Sequence, residues 1–189
     1  SNALASFLYM ITIINGTNRS GNLSQIISKF YRDVLQELGN EELNYLSMED
    51  LPKDMLGSMM FTPDGRSPSL TTLQNDLLIP SDKILFVLPE YNGGIPGILK
   101  LFIDACSTYN RDACFKAKKI GMLGVAAGRA GNLRGMEHLT GVMNYLGAIV
   151  MPNKLPISSI HNLVGTGNKL SDPATQDALK QHAQSFLDF

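Results

Sequence analysis

Short apolar runs rich in β-branched residues alternate with amphipathic stripes along the chain, and this alternation constrains the fold more than any other feature. The runs from Tyr9 to Ile14, Lys83 to Leu88 and Ile120 to Ala126 are continuous, as expected for strands buried on both faces of a parallel sheet. Between them, apolar residues recur at three- and four-residue spacing, which is typical of helices. The pattern therefore predicts parallel strands joined by helical crossovers.

Five strands and about five helices are predicted in total. Weaker runs from Glu42 to Leu46 and from Ala148 to Met151 supply the second and fifth strands. The segment from Met48 to Pro68 is the least regular part and predicts a loop with a short helix. Asp172-Pro173 predicts the start of a last amphipathic helix, because Pro is favoured at the first helical position.

Length and charge limit the classes of protein that the chain can represent. With 189 residues, 44% of them hydrophobic, we expect one domain over residues 9–189. Residues 1–8 are interpreted as the remnant of an expression tag, Ser1-Asn2-Ala3, followed by an N-terminal extension. The net charge of −1, with both signs interspersed, argues against nucleic acid or an anionic membrane as a partner. The apolar stretch from Leu4 to Ile14 is too short to span a bilayer and has no basic flank, so a cytoplasmic location is predicted.

A polar segment between the first strand and the first helix has the features of an anion-binding loop. It contains Thr17, Arg19, Ser20 and Ser24, and no Asp or Glu occurs between residues 15 and 32. The N-terminus of a helix attracts anions, hydroxyl groups can donate to them, and Arg19 can add a charge-assisted bond. A helix cap rich in Ser and Asn would explain the hydroxyls but not Arg19 or the glycines. The motifs of triphosphate and dinucleotide loops are absent, so a monophosphate fits best.

The segment from Pro89 to Gly97 follows the central strand and predicts the second side of the same site. In a doubly wound sheet of order 2-1-3-4-5, the chain reverses direction between the first and third strands and leaves a crevice there. Gly93 and its neighbours let a flat ring approach the backbone, and Tyr91 offers an aromatic face. A plain turn rich in Gly and Pro would explain the glycines but not the Glu90-Tyr91-Asn92 run.

A third segment, from Ala126 to Asn132, follows the fourth strand and should border the same crevice. Its small residues would admit the far edge of a ring, and Arg129 would offset negative charge on that ring. A simple strand-to-helix turn explains this segment equally well. Alone, it therefore adds little to the first two segments.

Together the three segments resemble the NADPH-dependent FMN reductase family. The first loop of that family has the form Gly-Ser-x-Arg-x-x-Ser, and its places are occupied by Gly16, Thr17, Arg19 and Asn22. Threonine keeps the hydroxyl group at the second place. The resemblance covers the chain from about Tyr9 to Gly147.

The second motif is the most specific part of this resemblance. The family's Pro-Glu-Tyr-Asn is matched from Pro89 to Asn92, and its following Pro-Gly-x-Leu-Lys-Asn-x-x-Asp is matched in most places from Pro96 to Asp104. The third loop of the family commonly reads Gly-x-x-Gly-Gly. Here Gly128 and Gly131 are present, and Asn132 stands in the last place.

The resemblance implies a flavodoxin-like three-layer α/β sandwich, with a five-stranded parallel sheet of order 2-1-3-4-5 and helices on both faces. It also implies an oxidoreductase that transfers hydride from NADPH or NADH to bound FMN and reduces a small acceptor, such as a flavin, a quinone, an azo or nitro compound, or a metal ion. Since the flavin supplies the chemistry, no side chain is assigned a catalytic role. The implied cofactor-binding residues are Thr17, Arg19, Ser20, Asn22, Leu23, Ser24, Pro89, Glu90, Tyr91, Asn92, Gly93, Gly128, Arg129 and Gly131.

Assembly into homodimers or homotetramers is a further implication of the resemblance. The helix predicted from Gly97 to Ser107 is apolar on nearly every side except at Lys100 and Asp104. Such a helix suits a contact with another subunit as well as with its own sheet. We therefore expect FMN to lie near a subunit boundary.

The main alternative function is a flavin-binding electron carrier or sensor without efficient NAD(P)H oxidation. A catalytically idle α/β interaction protein without flavin is ranked last, because it would not keep the Arg19 loop and the Tyr91 loop together. The fold alone does not separate a carrier from a reductase. A carrier usually presents an acidic docking face, and the near-neutral charge of this chain favours the enzyme. The reductase is therefore the preferred hypothesis.

The histidines and cysteines do not predict a metal site. His138, His161 and His182 lie in unrelated segments without metal-ligand spacing and are interpreted as surface or capping residues. Cys106 and Cys114 are too few for a disulfide framework. They are expected to be reduced, with Cys106 in the core.

Overall fold

A parallel sheet forms the middle of the computed structural model, which describes residues 9–40, 42–55 and 57–189. Its strands are β1 (Ile11–Asn15), β2 (Leu43–Ser47), β3 (Lys83–Pro89), β4 (Lys119–Val125), β5 (Ile149–Val150) and β6 (Leu155–Ile157). The strand order is β2-β1-β3-β4-β5, with β6 also paired to β4, and every pair is parallel. The predicted sheet order is therefore confirmed. The interpretation of residues 1–8 lies outside the described residues.

Helices cover both faces of this sheet and divide the core into two clusters. The α-helices are α1 (Ser24–Glu37), α2 (Pro68–Leu73), α3 (Gly97–Cys106), α4 (Arg111–Phe115), α5 (Leu133–Tyr145) and α6 (Pro173–Asp188). On one face, α1 and α6 bury Tyr31 and Phe186; on the other, α3 and α5 bury Phe102 and Met136. Within the described parts of the chain, no helix has both the length and the apolar character needed to cross a membrane.

The fifth position of the sheet is shared by two short strands, where the sequence predicts one. β5 pairs with the beginning of β4, at Lys119 and Ile120. β6 pairs with the end of β4, from Leu123 to Val125. The loop that follows contains a small antiparallel hairpin of β7 (Val164–Gly165) and β8 (Lys169–Leu170), which is not predicted either.

The irregular segment between β2 and β3 contains more helix than the sequence predicts. Three short 3-10 helices come first, at Met48–Asp50, Lys53–Met55 and Ser58–Phe61. After them, α2 continues into a π-helical turn, Gln74–Leu78, in which the Ile79 N–H donates to the Gln74 carbonyl at 2.8 Å. The Gln74 amide donates to the Tyr109 carbonyl at 2.7 Å, which fixes this turn against the segment after α3.

His182 corrects one sequence-based expectation, because it is a core residue and neither a surface nor a capping residue. The residue is 2% exposed, and its Nε2 lies 3.0 Å from the Asn153 carbonyl. A carbonyl only accepts, so Nε2 carries the proton, and Nδ1 accepts from the Tyr31 hydroxyl at 2.8 Å. Burial lowers the pKa of His182 to about 4. His138 and His161 are exposed, as predicted.

Candidate functional site

The first loop, residues 16–23, lies between the end of β1 and the start of α1 and is shaped largely by Asn22. The Asn22 Oδ1 accepts from the Gln25 N–H at 2.9 Å, so Asn22 caps α1. Its Nδ2 donates to the Arg19 carbonyl at 2.8 Å and closes the loop. Gly21 has φ +68°, a conformation that favours glycine.

Several donors of this loop remain available for a ligand. The backbone N–H groups of Ser20, Gly21, Leu23 and Ser24 find no acceptor in the described residues. The side chains of Arg19 and Ser20 are exposed at the same place. Free N–H groups at a helix N-terminus together with a guanidinium group favour a bound anion.

The Ser24 hydroxyl is less available than the sequence predicts. Ser24 is 2% exposed, and its hydroxyl donates to the Asn15 Oδ1 at 2.8 Å. The same hydroxyl lies 2.8 Å from the Asn22 Oδ1. The side chains of Ser24 and Asn22 therefore build the loop, and only the backbone N–H of Ser24 remains free.

The second loop, residues 89–96, begins with a tight turn at the end of β3. Tyr91 and Gly94 exchange two backbone hydrogen bonds of 3.0 Å, while Asn92 and Gly93 have φ values of 52° and 74°. Two consecutive positive φ values are typical of a type I′ turn, which explains the Asn-Gly pair. The Glu90 N–H donates to the Val125 carbonyl at 3.1 Å and fixes the start of the loop to β4.

A side-chain hydrogen bond joins the first and second loops. The hydroxyl oxygens of Thr17 and Tyr91 lie 2.6 Å apart, although these residues are 74 positions apart in the sequence. Thr17 is fully buried, and its Oγ1 also accepts from the Arg19 N–H at 3.1 Å. The bond therefore fixes the Tyr91 ring relative to the anion-binding backbone.

Between these two loops lies a cavity of about 260 Å³, which we call the carboxyl-edge cleft. Its lining residues are Arg19, Ser20, Gly21, Asn22, Leu23, Ser24, Pro89, Glu90, Tyr91, Val125, Ala126, Ala127, Ile160 and His161. Most of the cofactor-binding residues inferred from the first two segments are on this surface. Thr17 does not line the cleft itself but forms a hydrogen bond with Tyr91, which does. Asn92 and Gly93 form the turn next to the cleft.

The third loop, residues 126–132, takes a different part in the site from the one that the sequence predicts. Its first residues, Ala126 and Ala127, line the cleft, whereas Gly128, Arg129 and Gly131 lie outside the lining. The Arg129 carbonyl accepts from the Ser158 hydroxyl at 2.6 Å. A Cβ on Gly131 would lie 2.6 Å from the Pro156 Cβ, so Gly131 is required for close packing against β6.

Ile160 and His161 are cleft residues that the sequence does not reveal. They reach the cleft because the Ile160 N–H donates to the Ala126 carbonyl at 3.1 Å, which holds the loop after β6 against the end of β4. No local motif marks this return. The sequence offers only one signal for His161, an imidazole in a loop between predicted elements, and this signal alone indicates a surface residue.

Taken together, the lining of the cleft combines an anion-binding loop with a slot formed by an aromatic side chain and small residues. The slot is bordered by Tyr91 on one side and by the small residues Ala126 and Ala127 on the other. The donors of the first loop suit a phosphate, and the slot suits a flat ring system. The donor set and the lining residues of the cleft therefore fit FMN. Among the described residues, no three His, Cys, Asp or Glu side chains cluster as metal ligands would.

A doubly wound parallel sheet with such a cleft at its carboxyl edge defines a flavodoxin-like protein. The family model of NADPH-dependent FMN reductase matches residues 9–162. The chain belongs to this family, which confirms the resemblance drawn from the three loop motifs.

Individual relatives agree with this assignment. The chain is 33% identical over 108 residues to an NAD(P)H-dependent FMN reductase of Pseudomonas aeruginosa, in an alignment that covers 56% of this chain and 57% of that relative. It is 24% identical over 173 residues to a 2-hydroxy-1,4-benzoquinone reductase of a Burkholderia species, covering 88% and 92% of the two chains. Among solved structures, the NAD(P)H:acceptor oxidoreductase FerB of Paracoccus denitrificans superposes with a TM-score of 0.72 at 22% identity, covering 95% and 96%, and this likeness shows the fold alone.

Proposed function

We propose that this chain is an NAD(P)H-dependent flavin oxidoreductase that holds one FMN in the carboxyl-edge cleft. Bound FMN supplies the chemistry, taking hydride from NADPH or NADH and passing electrons to a small acceptor. Candidate acceptors are a flavin, a quinone, an azo or nitro compound, or a metal ion. Family membership supports the activity, as do the reductase names of the two relatives.

The first loop binds the phosphate in this proposal. The backbone N–H groups of Ser20, Gly21, Leu23 and Ser24 donate to its oxygens, and Arg19 adds a charged donor. Thr17 and Asn22 hold this backbone in place through their own hydrogen bonds. The loop carries no carboxylate that would repel the ligand.

The second and third loops orient the ring system. Pro89, Glu90 and Tyr91 border it on one side, with Asn92 and Gly93 presenting the backbone of the tight turn beside it. Gly128, Arg129 and Gly131 contribute by shaping the third loop, whose small residues line the other side. No side chain is required as a nucleophile or as an obligatory acid.

The hydrogen bond between Thr17 and Tyr91 is the observation that carries this proposal. It brings the phosphate-binding backbone and the aromatic edge to one cleft, at a separation of 2.6 Å between hydroxyl oxygens. A helix cap alone would need no such link to a loop on another strand. The arrangement thus supports one ligand with an anionic end and a planar end.

Anaerobic reduction of the bound flavin is the direct test of the activity. The purified protein is loaded with FMN, freed of excess cofactor, and mixed with NADPH or NADH without oxygen while the flavin absorbance is followed. We expect rapid bleaching with at least one of the two nucleotides. Bound flavin that neither nucleotide bleaches would contradict the reductase and favour the electron carrier or sensor.

A substitution of Arg19 tests the phosphate end of the cleft without relying on activity. Arg19→Ala should weaken FMN binding severalfold or more, because a charge-assisted hydrogen bond is lost at a partly screened site. Riboflavin lacks the phosphate, so its affinity should not change. Arg111→Ala removes an exposed arginine from α4 and serves as the matched control. Equal losses for FMN and riboflavin would contradict the assigned role of Arg19.

The molecular context is part of the same proposal. We infer that residues 9–189 act as one FMN-binding domain, that the protein forms homodimers or homotetramers, and that it is cytoplasmic. The two free, buried thiols of Cys106 and Cys114 suit a reducing compartment. The exposed side chain of Leu101 on α3 suits a contact between subunits.

A further inference from the structure

Asn15, the last residue of β1, is a fully buried polar side chain behind the first loop. It follows two isoleucines in a strand that is buried along its whole length, where an apolar residue would be usual. A buried amide costs free energy unless its donors and its acceptor are paired. The partners of the Asn15 amide therefore indicate what this side chain contributes.

Each polar atom of the Asn15 amide has a partner. The Nδ2 donates to the Asn22 Oδ1 at 3.0 Å and lies 3.5 Å from the Ser47 Oγ. The Oδ1 accepts from the Ser24 hydroxyl at 2.8 Å. Ser24 and Ser47 are each only 2% exposed, so little water can replace these contacts. One amide thus connects the first loop, the start of α1 and the end of β2.

The bond from Asn15 fixes the direction in which the Asn22 amide points. The Asn22 Oδ1 faces two donors, the Asn15 Nδ2 and the Gln25 N–H, so a flipped amide would bring donors together. The Asn22 Nδ2 is therefore left to donate to the Arg19 carbonyl at 2.8 Å. With its oxygen paired, this carbonyl opposes a neighbouring anion less.

Thr12 is a buried polar residue of the same strand whose contacts lie elsewhere. It is fully buried, and its Oγ1 donates to the Leu77 carbonyl at 2.9 Å and lies 2.7 Å from the Ser81 Oγ. These partners belong to the segment before β3 and not to the first loop. Thr12 therefore provides a matched control for the loss of a buried hydrogen bond in β1.

We propose, building on the phosphate site assigned above, that Asn15 is a positioning residue for the phosphate of the flavin. It acts through Asn22, because it holds the Asn22 amide in the orientation that closes the first loop around its free N–H groups. A loop that is already in its binding conformation loses less conformational freedom when the ligand binds. Asn15 therefore favours flavins that carry a phosphate over those that do not.

Parallel titrations with FMN and riboflavin test this role. Asn15→Leu keeps a similar volume but removes the hydrogen bonds of the amide, so FMN should bind about tenfold more weakly. Riboflavin has no phosphate, and its affinity should change little. Thr12→Val should lower the free energy of unfolding but leave the preference for FMN over riboflavin as it is in the wild type.

A double-variant cycle tests whether Asn15 acts through Asn22. Asn22→Ala removes the capping amide itself and should reduce the preference for FMN at least as much as Asn15→Leu. The double variant should lose little more than Asn22→Ala alone, whereas additive losses would overturn the proposed route. If Asn15→Leu does not fold, Asn15→Thr replaces it in both experiments, since threonine suits a strand and lacks the amide donors.

The outcomes distinguish this inference from the function on which it rests. If the wild type binds FMN no more tightly than riboflavin, the phosphate site fails, and the inference fails with it. If the wild type prefers FMN and is bleached by NADPH or NADH, but the Asn15 variants keep the full preference, the inference alone is overturned. A preference that falls in Asn15→Leu and persists in Thr12→Val supports the inference.

Discussion

At the scale of single residues, the pair of Thr17 and Tyr91 matters most, because it links two loops through one hydrogen bond of 2.6 Å. We expect Thr17→Val and Tyr91→Phe each to weaken FMN binding by about 1 kcal/mol, since each breaks this bond and leaves the partner hydroxyl unpaired. The double variant should lose little more than either single variant. Fluorescence titrations of FMN measure all three. Tyr145→Phe, at a tyrosine that is 81% exposed, is the control.

If the losses of FMN binding free energy in Thr17→Val and Tyr91→Phe add up fully in the double variant, the two residues are not coupled. Additive losses would indicate that Thr17 and Tyr91 act on the ligand separately and not through their mutual hydrogen bond. Thermal unfolding should be followed in parallel, because a fall in stability of the free protein would mean that the bond serves the fold more than the site.

Asn132 performs a structural task that its place in the family motif does not reveal. It has φ 62° and is fully buried; its Oδ1 accepts from the Gly135 N–H at 3.0 Å, and its Nδ2 donates to the Leu88 carbonyl at 2.8 Å. It therefore caps α5 and connects the third loop to the end of β3. A glycine would keep the backbone conformation at this place but make neither hydrogen bond.

Asn132→Ala should lower the free energy of unfolding by about 2–4 kcal/mol. The change removes the cap of α5, leaves the buried Leu88 carbonyl without its donor, and places alanine in the left-handed region. Chemical denaturation measures the loss. Asn132→Gly relieves only the backbone strain, so it should recover part of the stability; full recovery would show that the two hydrogen bonds contribute nothing.

Residues of the site were predictable from the sequence where a local motif expresses their chemistry. Arg19 and Tyr91 stand in loops whose composition is otherwise hard to explain, and both line the cleft. His161 has no such motif, because it reaches the cleft through pairing between distant segments. Gly131 is the opposite case, because it belongs to a motif but does not line the cleft. A glycine is needed there because β6 packs too closely against it for a side chain.

At the scale of elements, the helices and long strands were predictable because their apolar periodicity is local. The continuous run of β1 is buried along its whole length, as the pattern indicates. β6 was not predicted, because its three residues include Pro156 and gain their partner only when β4 is in place. The two-residue strands of the β7–β8 hairpin are likewise too short for a periodic signal.

The buried contact between Tyr31 of α1 and His182 of α6 predicts that the stability of the fold depends on pH. Burial lowers the pKa of His182 to about 4, against 6.5 for the unfolded chain, so the unfolded state binds the extra proton more readily. The contribution of neutral His182 to the free energy of unfolding is therefore fully present above pH 6.5 and is lost as the pH falls through about 4. The loss should amount to about 2–4 kcal/mol. Urea denaturation across this range measures it.

His182→Gln should flatten this pH dependence between pH 6.5 and 4, although the variant is less stable at neutral pH. His138→Gln, at an exposed histidine of α5, is the matched control and should retain the slope of the wild type. If the free energy of unfolding of His182→Gln depends on pH as steeply as that of the wild type, other groups cause the acid sensitivity.

At the scale of the whole molecule, the two faces of the sheet are covered unequally. α1 and α6 cover one face and contact each other, while the outer surfaces of α3 and α5 leave a cavity of about 430 Å³ between them. Leu101 on α3 is 37% exposed and Tyr145 on α5 is 81% exposed. Apolar surface beside a shallow cavity is typical of a contact between protein chains. The proposed homo-oligomer would place its interface here, next to the second loop.

Leu101→Glu tests this assembly, because a carboxylate buried at an interface without a partner is strongly unfavourable. If the wild type is a dimer or tetramer in light scattering, Leu101→Glu should shift it towards monomers. Leu38→Glu is the matched control, since Leu38 is 42% exposed at the end of α1, away from α3. An oligomer that survives Leu101→Glu, or dissociates equally in Leu38→Glu, would exclude α3 as the interface. FMN titrations of the monomeric variant would then show whether the cleft binds its ligand without a second subunit.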